Sequence, residues 1–184
     1  FVPDRCWNSL VVFGRDGEAS QKINGCEGFS SNPVYKNQEK DIGFELEESE
    51  LEGFLQPDSP RSNTLFRYWS KKHDSDSPYD SKKALEQAKI DAAAFLDEEN
   101  QKLEKASKYL ESPVLVCTIE AAALGQCWAE GMDFFEEVLR KNASSKFVAT
   151  GDLIKDQFKL EKITPYPSAA SGTGYGEDLL DSSN

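Results

Sequence analysis

Between residues 80 and 111, apolar side chains recur every three or four positions: Leu85, Ala88, Ala92, Phe95 or Leu96, Leu103, Ala106 and Leu110. That spacing predicts a helix with one apolar stripe, capped by Asp80 or Ser81. Glu99 breaks the stripe, so the pattern is not a clean coiled-coil seam. At the usual rise the helix is about 45 Å long. Ser112-Pro113 stops it and starts a second helix, expected over 113–142, with Ser112 as N-cap and Pro113 at its first position. The first half of that helix, 114–128, is apolar nearly all round, which predicts burial. The second half is amphipathic through Met132, Phe135, Val138 and Leu139, and Arg140 and Lys141 close it. A strand over 114–119 fits the same apolar run equally well. Ala121, Gly125 and Ala129 lie four apart and read as a close-packing face.

The flanks are less regular. Leu10 to Phe13 form a β-prone run closed by Gly14, which predicts a strand within 6–13. Asp16-Gly17 and Asn24-Gly25 are turn dipeptides. The stretch 28–40 reads as a loop whose aromatics, Phe29 and Tyr35, must lie against a surface of this chain or of a partner. Ser49 and Glu52 form a capping-box pattern before Leu51, Phe54 and Leu55, so a short helix is expected to end before Pro57. Ser62 or Asn63 is expected to cap another, running to Lys72 with Leu65, Phe66 and Trp69 on one face. The segment 146–150 looks like a strand, and 152–163 suits helix or strand. Residues 168–184 have the composition of a flexible tail.

The fold class expected is therefore α+β and mainly helical: two long central helices, about 80–111 and 113–142, short strands near both ends, and extended arms. Three regions follow: an irregular acidic arm over 1–60, a helical core domain over 61–163, and a tail over 164–184. The expected core is Leu85, Ala88, Ala92, Phe95, Leu103, Val116, Ile119, Leu124, Trp128, Phe135 and Leu139.

Charge narrows the partners. The 184 residues carry 21 Lys and Arg against 33 Asp and Glu, a net charge of −12. That balance argues against free nucleic acid, whose phosphates need a basic face, and against anionic membrane surfaces. Half of the negative excess lies in 39–52, which holds seven carboxylates and one lysine. A solvated acidic face is the plain reading of such a run. No apolar stretch reaches the roughly 20 residues a membrane-spanning helix needs. The chain opens Phe1-Val2-Pro3 without an initiator Met, so a processed chain is expected, organellar (chloroplast or mitochondrion) or secreted rather than cytosolic. Cys6 and Cys26 flank a turn-rich segment and could bridge, whereas Cys117 and Cys127, ten residues apart on one helix, would be too distant. The sequon Asn142-Ala143-Ser144 matters in a secreted chain.

Catalytic signatures are lacking. There is no Walker loop, no G-x-S-x-G and no H-E-x-x-H. The glycine-rich run 172–176 has no strand before it and no helix start after it, as a dinucleotide site requires. The single histidine, His73, sits in a polar linker, a poor place for an oriented base. Asp74, Asp76 and Asp80 resemble a calcium loop, but Pro78 and Leu85 occupy its fifth and twelfth positions. No cysteine pair has zinc spacing. With no nucleophile, metal or cofactor to nominate, the expectation is a non-enzyme without cofactors. Specifically, it is a structural or linker (scaffold) subunit that binds other protein subunits in a larger assembly, such as the soluble face of a photosynthetic or respiratory supercomplex. Its partner-binding residues would be Phe29, Tyr35, Glu45, Glu47, Glu48, Tyr166, Tyr175, Leu179 and Leu180. Two alternatives stand beside it: a small-molecule or lipid-binding module with a pocket near Leu124, Trp128 and Phe135, and an acidic inhibitor or immunity-type protein using the 39–52 block.

Overall fold

The computed structural model describes residues 4–5, 11–25, 27–53, 60–72, 77–142 and 145–155. These residues are mainly helical. Six helices follow one another: α1 (Gly17–Asn24), α2 (Ile42–Glu45), α3 (Glu48–Leu51), α4 (Ser81–Ser107), α5 (Gly131–Lys141) and α6 (Thr150–Lys155). A single turn of 3-10 helix spans Phe29–Ser31. Two short strands, β1 (Asp4–Arg5) and β2 (Val11–Val12), pair antiparallel with Asp4 opposite Val12 and Arg5 opposite Val11. No described helix is long and apolar enough to cross a membrane. The chain divides into two compact units: Phe1–Gln21, Phe95–Thr118 and Asn142–Asn184 form one, Lys22–Ala94 and Ile119–Lys141 the other.

The alanine stripe of α4 behaves as its periodicity demands. Ala84, Ala88 and Ala92 are fully buried and Phe95 nearly so. The Asp80 carboxylate accepts from the Lys82 and Lys83 amides, satisfying donors the first turn leaves open. The helix stops at Ser107, short of the expected residue 111, where the Ser107 hydroxyl turns back onto the Glu104 carbonyl. Leu85 and Leu139 are exposed rather than core, and Leu103, Val116, Ile119, Leu124 and Phe135 are half-buried.

The second long helix requires correction. Residues 113–120 are extended without forming a strand, 121–130 are turns, and the helix proper is α5, starting at Gly131. Gly125 has φ +106°, a conformation that side-chain-bearing residues rarely adopt. Its N–H donates to the Trp128 carbonyl, and the Cys127 N–H closes onto Ala122. A helix cannot run through such a turn. Because α5 begins afresh, its buried face is Phe134 and Val138, one residue out of phase with the expected Phe135 and Leu139.

Four flanking segments also differ from expectation. The Asp16-Gly17 pair opens α1 instead of a hairpin: Asp16 Oδ1 accepts the Ala19 N–H at 3.0 Å, an N-cap. The expected helix over 62–72 is an extended segment. Ile42 N–H donates to Phe66, Asn37 to Trp69 and Lys71 to Tyr35 on one edge, while Tyr79 N–H donates to Tyr68 on the other. Leu65 at φ +64° precludes a continuous helix there, and Phe66, Tyr68 and Trp69 favour extended backbone. The capping box falls at Glu47 and Glu50, two residues before the expected pair. Residues 146–149 form no strand, and α6 follows with Leu153 buried. The Cys6–Cys26 bridge, the tail and the remainder of 152–163 lie outside the described residues.

Close backbone approach makes Gly43 exacting. A Cβ there would meet the Ser62 carbonyl oxygen at 2.5 Å and Thr64 Cγ2 at 2.8 Å, whereas one at Gly17 meets nothing within 4 Å. Gly43→Ala is expected to lower unfolding free energy by about 2 kcal/mol. Gly17→Ala in the first turn of α1 should leave it unchanged or raise it by about 0.5 kcal/mol. Urea unfolding of both variants is the measurement; equal stabilities would show that the Gly43 backbone is free to move.

Candidate functional site

In the unit that holds the first half of α4, the helix's buried face carries an acid, Asp91. Its carboxylate is held from two sides. The Tyr35 hydroxyl donates to Oδ2 at 2.5 Å, and Gln87 Nε2, one turn back, donates to Oδ1 at 2.8 Å. Burial, the bond to Asp91, and the charges of Asp91 and Glu130 push the Tyr35 hydroxyl well above the ordinary phenol range. The Tyr35 ring lies 5.1 Å from Trp128, Trp128 lies 5.0 Å from Phe134, and Phe134 lies 5.5 Å from Phe29, all tilted.

Beneath that aromatic row is a second buried acid, Glu130. Its Oε1 accepts the Lys36 amide at 3.3 Å. Burial and the facing Glu130 carboxylate push the Tyr79 hydroxyl up as well. Lys71 donates from Nζ to the Ser30 carbonyl at 2.7 Å; burial holds its ammonium below the usual lysine range despite the nearby Glu130 and Glu39. Just before the turns that lead to Trp128, Glu120 is exposed, with its N–H fixed by Asn24 Oδ1 at 3.0 Å.

A different arrangement occupies the other unit. Lys102 Nζ reaches Asp16 Oδ2 at 2.7 Å, Glu99 Oε1 at 3.0 Å and Glu18 Oε2 at 3.3 Å. Burial alone would lower this ammonium, but its bonds to Asp16 and Glu99 raise it above the ordinary value. Burial would likewise raise Asp16, yet the Lys102 bond and the Ala19 N–H hold it below 3.8. The other oxygen of buried Glu99 accepts from the Cys117 thiol at 3.5 Å. Burial and that negative charge push Cys117 up from 9.0 to about 12. Among the described residues, no three His, Cys, Asp or Glu side chains are grouped to hold a metal ion.

The residues expected to bind partners are dispersed. Tyr35 is buried, and Phe29 lies against Phe134. Glu45 is exposed and accepts from Trp69 Nε1 at 2.6 Å. Glu47 is the N-cap of α3 and Glu48 its first residue. Tyr166, Tyr175, Leu179 and Leu180 lie outside the described residues. Sequence reading passed over Asp91 and Glu130, although Asp91 falls in phase with Ala84 and Ala88, where an acid cannot face water.

No family model matches the sequence, and no curated protein matches it. Solved structures do. The crystal structure of the novel α-amylase AmyC from Thermotoga maritima matches with a TM-score of 0.81 at 23% identity, over 94% of this chain and 36% of that one. A GH57-type branching enzyme from Pyrococcus horikoshii matches with a TM-score of 0.68 at 21% identity, over 88% and 27%. A GH57 branching enzyme from Thermococcus kodakaraensis, in complex with glucose, matches with a TM-score of 0.68 at 17% identity, over 88% and 28%. The chain therefore has a fold found within glycoside hydrolases, and it spans about a third of the length of these enzymes. This likeness overturns the reading as a non-catalytic linker subunit of a supercomplex, its two alternatives, and the expectation of a non-enzyme. The loop aromatic Tyr35 is a core residue, half-buried Phe29 packs on Phe134, and the space beside Trp128 is filled by the rings of Tyr35 and Phe134.

The Lys102 cluster has a pH signature. Asp16 titrates below its unfolded value, so its stabilisation is present above pH 3.8 and is lost as pH falls through the folded value. Lys102→Met leaves Glu99 buried without its cation and is expected to cost about 3 kcal/mol at pH 7. The difference from the parent should shrink at pH 3, as measured by urea unfolding; a difference that does not depend on pH would refute the pairing. The thiols should separate too. Exposed Cys127 should react with iodoacetamide at pH 8 well before Cys117, whose thiolate is suppressed. Peptide mass mapping over time reads the order, and equal rates would contradict the burial of Cys117.

Proposed function

We propose that this chain is part of a glycoside hydrolase that acts on polymers of α-linked glucose, and that its share of the work is to engage the sugar chain. The observation that carries the proposal is the fold shared with the Thermotoga α-amylase over 94% of this chain. Cleavage of a glycosidic bond takes two carboxyl groups flanking it, plus hydrogen bonds that hold the sugar ring. The rings of Tyr35, Trp128 and Phe134 are buried and fix the core, so the holding part of that task falls to side chains at the surface.

Binding that favours the folded chain raises its melting temperature by mass action. Maltoheptaose at about ten times its dissociation constant is expected to raise the melting temperature of the full chain by roughly 3 °C. A β-linked glucose oligomer of the same size should do nothing. If no α-linked oligomer or polymer shifts the transition, the proposal is wrong.

A further inference from the structure

We propose that the exposed rings Phe44, Phe66 and Tyr68 form a binding platform for a linear α-glucan chain, a proposal that rests on the function put forward above. The frame beneath these rings is rigid. Asp41, 2% exposed, accepts through one oxygen from the Gly43 N–H at 2.9 Å, the Thr64 N–H at 3.1 Å and the Thr64 hydroxyl at 2.8 Å. The Phe66 carbonyl accepts from Ile42, two residues before Phe44, and the Tyr68 carbonyl accepts from Tyr79. Between these anchors Leu65 takes a left-handed φ of +64°, which a non-glycine residue adopts where its surroundings impose it.

This frame supports large apolar groups in water. Phe66 is 70% exposed, Phe44 54% and Tyr68 41%. Large rings exposed on one frame mark a contact surface, because leaving them wet forfeits the gain of burying them. Their setting points to a sugar. The rings are interspersed with hydrogen-bonding groups: Arg61 Nη1 donates to the Phe44 carbonyl, Arg67 Nη1 to Gln38, and Trp69 Nε1 to Glu45. Trp69 backs Tyr68 at 4.9 Å between ring centroids, and Lys40 lies over the Trp69 ring at 5.6 Å. A pyranose offers a flat face of C–H groups and a rim of hydroxyls, the complement of rings set among donors and acceptors.

The test is calorimetric titration of the full chain with maltoheptaose. Phe66→Ala/Tyr68→Ala is expected to weaken binding at least about tenfold while the melting temperature without sugar stays as in the parent. Phe44→Ala alone should weaken it severalfold. Because the ligand is neutral, parent affinity should be nearly the same in 0.05 M and 1 M NaCl. If the parent binds and both variants bind as tightly, the platform is overturned while the function stands. Affinity for maltoheptaose that collapses in high salt overturns the platform as well, since stacking of a neutral sugar on neutral rings is not screened by salt. If the parent does not bind maltoheptaose, the platform falls, and the function falls with it when no other α-linked oligomer or polymer shifts the melting transition.

Discussion

A carboxylate on the buried face of a helix sets the terms for much of this molecule. Asp91 sits beside Ala88 and Ala92, where small side chains allow other backbone to come close. Burying an acid without partners is prohibitively costly, so the surrounding chain must supply donors. Gln87 can come from the same helix, but the second donor must come from elsewhere, and it is the Tyr35 hydroxyl. Leaving that oxygen unpaired would cost about 1–3 kcal/mol. The loop that carries Tyr35 is therefore tied to α4, although it has no regular structure of its own. Once Tyr35 is placed, Trp128 and Phe134 have a surface to pack on.

The same logic explains where the acidity goes. Most of the net charge of −12 is spread over solvated faces and helix ends. In the 39–52 block, Glu47 and Glu50 close the two halves of a capping box, and Asp41 caps α2 through the Gly43 N–H. Charge in this segment thus does local structural work. Buried acids are treated differently in the two units. Asp91 and Glu130 are met by neutral hydroxyl or amide donors, whereas Glu99 and Asp16 share the ammonium of Lys102.

Sequence periodicity disclosed the parts of the fold that depend on local pattern. The recurrence of Ala88, Ala92 and Phe95 gave α4 almost to its ends, although Ala84 rather than the expected Leu85 fills the buried position one turn earlier. It failed where one residue's backbone decides. Gly125 and Leu65 each sit at positive φ, and an apolar run or an i, i+4 spacing carries no trace of that. The apolar character of 114–128 was real, but it belonged to extended chain and turns. The candidate site was less legible still. Phe29 and Tyr35 were recognised as aromatics in need of a surface, but that the surface is Trp128, Phe134 and Asp91 depends on tertiary pairing across a hundred residues. The likeness in fold was hidden for a related reason: it is carried at 23% identity or less, and no family model matches the sequence.

Near Asp41 the groups that fix the backbone and those that meet solvent are different groups. Asp41 and Gly43 are buried and fix the path of the chain, and Phe44 and Phe66 join that frame through their backbone while their rings project from it. Such a division lets the chemistry of a surface drift without endangering the fold beneath it. Exchanging one exposed ring for another, or for a polar group, costs little stability, so variants can accumulate there at low penalty. A lineage carrying this frame is free to retune what its outer face holds while its core stays nearly fixed.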